Sequence, residues 1–364
     1  MIKTLFKRFA AHLDPFLLAC VVLMLLTGLV VLYSASGQSL ERVSGQMINI
    51  LVAFGVMWVA SNVPPQHLER IALPLYALGL LLLLGVALFG EISHGARRWL
   101  NLGVTQVQPS ELMKIAVPML LAWYFAKREV SLRLADHIVG ALLLATPVAF
   151  IVRQPDLGTA LLIAASGFYV LFLAGLSWRL LIGLIVLAGA SAPVLWSFMH
   201  DYQRRRIEIL FDPHQDPLGA GYHTIQASIA IGSGGFAGKG WLNGTQAQLD
   251  FLPERTTDFI FAVFGEEFGL LGTLLLLLLF ALIIGRGVVI AAQAQNTFSR
   301  LLAGSITLTF FTYVFVNIGM VSGILPVVGV PLPMVSYGGT SLVTILLGFG
   351  ILMSIHTHKK LVTS

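Results

Sequence analysis

"FLPERTTDFIFAVFGEEFGLLGTLLLLLLFALIIGR", residues 251–286, joins two kinds of chain in one string. Its head is polar and charged: Glu254, Arg255, Thr256, Thr257 and Asp258. From Phe259 onward it is apolar except for Glu266, Glu267, Thr273 and the closing Arg286. A run of about 20 apolar residues is enough to cross a bilayer as a helix. The same pattern recurs along the chain, with candidate spans near 15–35, 46–63, 72–89, 109–126, 136–153, 157–176, 178–199, 258–286, 301–321 and 340–356. Backbone groups in lipid must be satisfied internally, so the expected fold is all-α, a polytopic bundle of about ten transmembrane helices. Composition agrees: 57% of residues are hydrophobic and 11% charged, and the mean hydropathy is +0.87. A soluble domain of 364 residues needs far more surface charge.

Orientation follows from the short connections. Lys3, Lys7, Arg8, Arg70, Lys127, Arg128, Arg133, Arg179, Arg286, Arg300, Lys359 and Lys360 fall on one side together with both termini. The positive-inside rule makes that side the cytoplasm. Only Asp14, Glu69, Glu129 and Asp136 accompany them there. The first span has no small-residue cleavage site and reads as a retained helix. The basic, amphipathic stretch before it suits an anionic leaflet, so membrane lipids are expected neighbours. The basic balance is topogenic and gives no reason to expect nucleic acid. Cys20 is the sole cysteine, which excludes an intramolecular disulfide. "NGT" at Asn243 is only a short match to a glycosylation acceptor.

On this topology the longer, Gly- and Pro-rich connections face outward: 90–110, 322–340 and the large extracytoplasmic loop 200–257 between spans 7 and 8. Long ordered loops tend to carry function. "GILPVVGVPLPMVSYGGTS" (323–341) holds too many prolines and glycines for a regular helix. At membrane depth such a stretch must be buried in protein or line a cavity. "GSGGFAGKGWLNGT" (232–245) is no nucleotide-binding loop, because Ser233 and Gly240 stand where that motif needs Gly and Ser or Thr. It is either a flexible loop or one whose amides and Lys239 cradle an anionic head group. No internal repeat supports an inverted-repeat transporter.

Charges within or beside the spans are the sharper signal. Glu111 and Lys114, three residues apart, share a helix face, either as a neutralised pair holding the bundle or as the lining of a polar cavity. Arg153 and Asp156 flank Pro155, His94, Arg97 and Arg98 lie at the same level, and Arg204, Arg205 and Arg206 follow. Three basic clusters invite an anion, and a lipid diphosphate is the natural one on that face. Asp258 is either a helix cap, worth about 1 kcal/mol, or a reactive carboxylate. Glu266 and Glu267 lie about 12 Å further along the helix axis. That is too deep to share a reaction with Asp258 unless the helix breaks near Gly265; a structural pairing with an arginine or a backbone break is expected.

"LDPFLL", "GARRWL", "QPSELMKIA", "QPDLGT", "HDYQRRR", "DPLGAGYHTIQASIAIGSGG", "LPERTTDFIFAVFGEEFG" and "VNIGMVSGILPVVGVPLPMVSYGG" occur in this order from the first span to the last. Together they resemble the SEDS (shape, elongation, division and sporulation) family, and its elongation members more than its division members. The resemblance implies one transmembrane domain over 1–364, in a bacterial inner membrane, with the active site facing the periplasm. It implies a peptidoglycan glycosyltransferase acting on lipid II and nascent glycan, with a class B penicillin-binding protein as partner. The family's critical aspartate corresponds to Asp258, and its Glu and Lys after the QPS motif to Glu111 and Lys114.

The chemistry then has a defined need. A sugar hydroxyl must lose a proton as it attacks an anomeric carbon, and Asp258 is the expected general base. The diphosphate leaves without protonation, so a second carboxyl acid is not required, unlike glycoside hydrolysis. Departing charge calls for cations, with Lys114, Arg98, Arg153 and Lys239 as candidates in that order, or for a divalent ion such as Mg or Mn. A lipid II flippase is the main alternative. It needs a polar cavity open to both sides and no reactive carboxylate. A non-catalytic scaffold would leave the intramembrane charges unmotivated.

Overall fold

The computed structural model describes residues 12–93, 96–101, 106–128, 132–199, 201–212, 220–249 and 251–358. The basic segment up to residue 11, His94, Glu129, Lys359 and Lys360 lie outside them, as do the side chains of Arg97 and Arg206. Helices α1 (Pro15–Ala35), α2 (Leu40–Ser61) and α3 (Pro65–Phe89) open the chain. A small antiparallel sheet follows, of β1 (Glu91–Ser93), β2 (Ala96–Asn101) and β3 (Gln106–Val107) in the order β1-β2-β3. It occupies the first of the three segments read as loops. Next come α4 (Pro109–Ala126), α5 (Leu134–Val152), α6 (Leu157–Leu173) and α7 (Trp178–Phe198). Then α8 (Asp201–Phe211), α9 (Ala220–Gly234), α10 (Thr245–Gln248), α11 (Ile260–Ala292), α12 (Thr297–Val321) and α13 (Thr340–Thr357) complete the fold.

Seven of these helices, α1, α2, α3, α5, α11, α12 and α13, are long and apolar enough to cross a membrane. α4, α6 and α7 fall where the sequence places the remaining spans; α4 is more polar and α6 shorter, at 17 residues. Pro15, Pro65 and Pro109 each begin a helix, where a missing N–H leaves no bond unmade. The interior is built around α12, whose whole length is packed: Phe298, Leu302, Phe310, Val314 and Met320 are buried. α11, α6 and α4 surround it, and α13 lies along α2.

Two polar contacts between α1 and α11 mark the hydrocarbon thickness. At one end Asp14 caps α1 by accepting from Leu17 N at 2.8 Å, and it also meets Arg286 Nη2 at 2.5 Å. At the other end Ser34 Oγ donates to Glu267. About 20 helical residues separate the two contacts on either helix, or about 30 Å at 1.5 Å per residue, which matches a bilayer core. Glu267 therefore stands at the membrane boundary, and the first turns of α11 rise beyond it.

The segment 200–257 is not an irregular loop either, since it contains α8, α9 and α10, with α9 packed against α11. α11 breaks at Gly269, with φ 63° and ψ −162°, one turn beyond the Gly265 named from sequence. The break strips four backbone groups of their helical partners, and the chain after α9 replaces all of them. Lys239 N and Gly240 N donate to Glu266 O and Glu267 O, both at 3.0 Å. In return Leu270 N and Leu271 N donate to Gly235 O and Phe236 O, at 2.9 and 3.1 Å. Only glycine permits the crossing, because a Cβ on Gly238 would stand 2.1 Å from Glu267 O.

Candidate active site

Asp258 sits just before α11, outside its hydrogen-bonded turns. The N-cap of α11 is Phe259, with no side-chain capping bond, so Asp258 is not the cap. Among the described residues no donor reaches its carboxylate, and the side chain is half-buried.

Its backbone, by contrast, is clamped. The carbonyls of three successive residues each accept a bond from the α12–α13 side. Thr256 O takes Tyr337 N at 2.8 Å, Thr257 O takes Ser336 Oγ at 2.5 Å, and Asp258 O takes Asn317 Nδ2 at 2.9 Å. None of the three carbonyls has a partner within α11, so the Pro- and Gly-rich segment 322–339 serves as a binding groove for the aspartate's own chain. It is held in turn by α2: Gln46 Oε1 accepts from Gly338 N at 3.2 Å, and Gln46 Nε2 donates to Ser336 O at 3.4 Å. Arg42, exposed one turn earlier on α2, reaches Thr256 Oγ1 at 3.3 Å.

Gly329 closes the other side. Its φ of +75° suits glycine alone, and a Cβ there would lie 3.4 Å from Asp258 Oδ2. His223 of α9 stacks on Phe259 with ring centres 5.6 Å apart. Burial in these surroundings, with Glu254 adding like charge, raises the Asp258 carboxyl from 3.8 to about 6. A carboxylate so placed is ionised at neutral pH yet basic enough to accept a proton.

The segment 328–330 also joins this centre to two other sequence-predicted groups. Val330 packs with Leu162 of α6 and Tyr313 of α12, and Val328 O crowds Gly158 at the start of α6. Asp156 caps that helix by accepting from Thr159 N at 3.2 Å. Arg98 Nε approaches Asp156 Oδ2 at 3.8 Å, and Arg98 Nη2 donates to Pro155 O at 2.9 Å. Beneath Tyr313, Lys114 lies 5.3 Å from the ring centre and pairs with Glu111 at 2.6 Å. Thr344 Oγ1 donates to the second Glu111 oxygen at 2.9 Å. Lys114 is only 6% exposed and borders a cavity of about 40 Å³ walled mainly by Ile115, Ile306, Phe310 and Phe349.

Two candidates stand apart. Arg153 is exposed at the end of α5. Lys239 is bound to Glu266, which is fully buried, at 2.7 Å. The Glu266 carboxylate also accepts from Thr245 Oγ1 at 3.0 Å, Gln246 N at 3.1 Å, Ala247 N at 3.4 Å and Ser233 Oγ at 3.4 Å. Its partners are thus a lysine, two hydroxyls and the amides of α10, not the arginine expected from sequence, while the expected backbone break lies at Gly269. Among the described residues no three His, Cys, Asp or Glu side chains converge to hold a metal ion.

Sequence reasoning missed Asn317, Ser336, Gln46 and Arg42. The unusual string containing Ser336 was itself a signal, but nothing in it names its partner.

Residues 15–361 match the family model for cell cycle proteins of the FtsW, RodA and SpoVE type. The peptidoglycan glycosyltransferase MrdB of Escherichia coli K12 is 53% identical over 353 residues, covering 97% of this chain and 95% of that one. A probable peptidoglycan glycosyltransferase FtsW of Geobacter metallireducens is 36% identical, covering 95% of each. Among solved structures, a chain from a peptidoglycan synthase complex, described as coordinating polymerization and crosslinking, superposes with a TM-score of 0.84. It is 32% identical and is covered to 99%, against 95% of this chain. The rod shape determining protein RodA of Thermus thermophilus gives 0.72 at 30% identity, covering 95% of this chain and 98% of that one. With a family model matched from the first helix to the last, this chain belongs to the FtsW–RodA–SpoVE family, the SEDS proteins.

Proposed function

We propose that the protein polymerises lipid II into glycan strands, with Asp258 as the general base. The protein is a peptidoglycan glycosyltransferase and a multi-pass membrane protein. In the step envisaged, a sugar hydroxyl oxygen bonds to the anomeric carbon of the donor while the bond from that carbon to the diphosphate oxygen breaks. Asp258 takes the hydroxyl proton, the configuration inverts, and undecaprenyl diphosphate leaves with its charge.

The observation that carries this reading is a carboxylate that no donor reaches among the described residues, on a backbone held by three hydrogen bonds. An unpaired, half-buried acid is unfavourable for stability and useful for proton transfer. Arg42, bonded to Thr256 of the clamp, and Arg98, held at Pro155 and Asp156 before α6, would face the departing diphosphate, with Arg153 at the end of α5. Lys114, tied to Glu111, steadies the helices beneath. Lys239 is tied to Glu266 and holds the chain after α9. Both termini lie in the cytoplasm and Asp258 faces the periplasm, consistent with the placement of basic residues. A class B penicillin-binding protein is the partner that would crosslink the product. A flippase would leave the open carboxylate and its clamp without use.

The test is glycan polymerisation from lipid II by purified protein with its transpeptidase partner. Asp258→Asn should lower the rate at least about 100-fold, the usual scale for a lost general base, while remaining folded. A near wild-type rate would move the base elsewhere, with Glu111 examined first.

A further inference from the structure

Asn317 of α12 bonds both halves of the clamp. Its Nδ2 donates to Asp258 O at 2.9 Å and to Val330 O at 2.7 Å. Both neighbours are carbonyls, so the amide can face only one way. Its Oδ1 is then left buried without a hydrogen-bond partner, in a side chain with 0% exposure. A buried orphan acceptor is costly and calls for an explanation. The two bonds it permits supply one. They fix the distance between the backbone of Asp258 and segment 328–330, and so set how closely Gly329 approaches the carboxylate. A leucine of similar volume would fill the site but leave both carbonyls without their donor, so the amide is there for its two bonds and not for its packing.

We infer that Asn317 is a positioning residue for the glycosyl transfer, holding the Asp258 carboxylate against Gly329 at the angle from which it takes the acceptor proton. The inference rests on Asp258 being the base. Loss of the bridge lets the carboxylate turn toward water, where it becomes a weaker and misplaced base. Misplacement by about 1 Å is enough to cost on the order of 100-fold in rate.

Asn317→Leu and Asn317→Ala are compared with wild type for kcat, KM and the pH dependence of polymerisation, with melting checked for each and Asp258→Asn run alongside. The expected result is a kcat lower by at least about tenfold with KM little changed, and an acid midpoint moved from about 6 toward 3.8. Added to Asp258→Asn, Asn317→Leu should not reduce the residual rate further, because the two act as a unit. If Asp258→Asn is inactive while both Asn317 variants keep wild-type kcat and midpoint, the positioning role alone is overturned. If Asp258→Asn is active, the base assignment falls and Asn317 loses its role with it. Failure of both Asn317 variants to fold would make the residue a pillar of stability and overturn the inference as well.

Discussion

Asp258 and Glu266 lie eight residues apart on one stretch of chain, and the protein treats them in opposite ways. Around Glu266 the side chain is saturated: five groups donate to it, and none of its surface is exposed. Around Asp258 the backbone is saturated and the side chain is left open. A buried carboxylate with every lone pair engaged is a fastener, since proton transfer would break the bonds that hold it. A carboxylate held rigidly by its backbone, with no donors of its own, keeps its lone pairs for a substrate. Position on a rigid frame with an unsatisfied reactive group is what electrostatic and proton-transfer catalysis both need.

The contrast is sharpened first by removing the fastener. Glu266→Ala leaves Lys239 and four further donors facing a cavity, and breaking a buried pair in this way costs about 3–5 kcal/mol. A large fall in melting temperature is expected, with the rate per folded molecule at permissive temperature reduced much less than by any change at Asp258. Equal losses of rate would erase the distinction between the two acids.

Next comes pH. With the Asp258 carboxyl at about 6, kcat/KM should fall about tenfold for each unit below that value as the base is protonated. An ordinary aspartate would show no such limb above pH 5. The same shift has a stability consequence of defined sign. The folded value lies above the unfolded value of 3.8, so ionising Asp258 is harder in the fold. Its stabilising contribution is fully present below 3.8 and lost as pH rises through about 6. Asp258→Asn should therefore melt above wild type at pH 8, and the gain should shrink toward pH 5. A gain that is constant with pH, or a loss, would contradict the desolvated acid.

Smaller effects should follow from the neighbours. Gly329→Ala forces a side chain into a left-handed backbone costing about 1–2 kcal/mol and brings a methyl to 3.4 Å from Asp258 Oδ2. A rate lower by about tenfold is expected, the equivalent of that energy, measured in the same polymerisation assay. Glu254→Gln removes the weaker of the two causes of the Asp258 shift and should move the acid midpoint down by less than about one unit.

The same two acids show how much was legible in sequence. A charged head running into a long apolar span announces both the helix and an unusual aspartate at its edge. The Pro- and Gly-rich string 323–341 announces that it is not a helix and must be held by protein. What the sequence cannot supply is their union. Thr256 with Tyr337 and Asp258 with Asn317 are bonds to backbone carbonyls across some 60 to 80 residues of chain, and any residue has a carbonyl to offer. The fate of Glu266 is hidden for a related reason. Gly265, Gly269 and Gly272 all offer a break in α11, and only the crossing of residues 235–240 selects Gly269. Once the break is placed, Lys239 is carried to Glu266 and away from the anion it was expected to meet. The small sheet at 91–107 went unread because its strands are too short to show an alternating pattern.

The most direct test sets Asp258→Asn beside Glu266→Gln, each purified with the transpeptidase partner, and measures glycan formed from lipid II per folded molecule together with thermal melting. The account predicts that Asp258→Asn melts at or above wild type and polymerises at least about 100-fold more slowly, while Glu266→Gln melts lower but retains most of its rate. Polymerisation surviving in Asp258→Asn and failing in a folded Glu266→Gln would contradict it, and would make Glu266 the reactive acid.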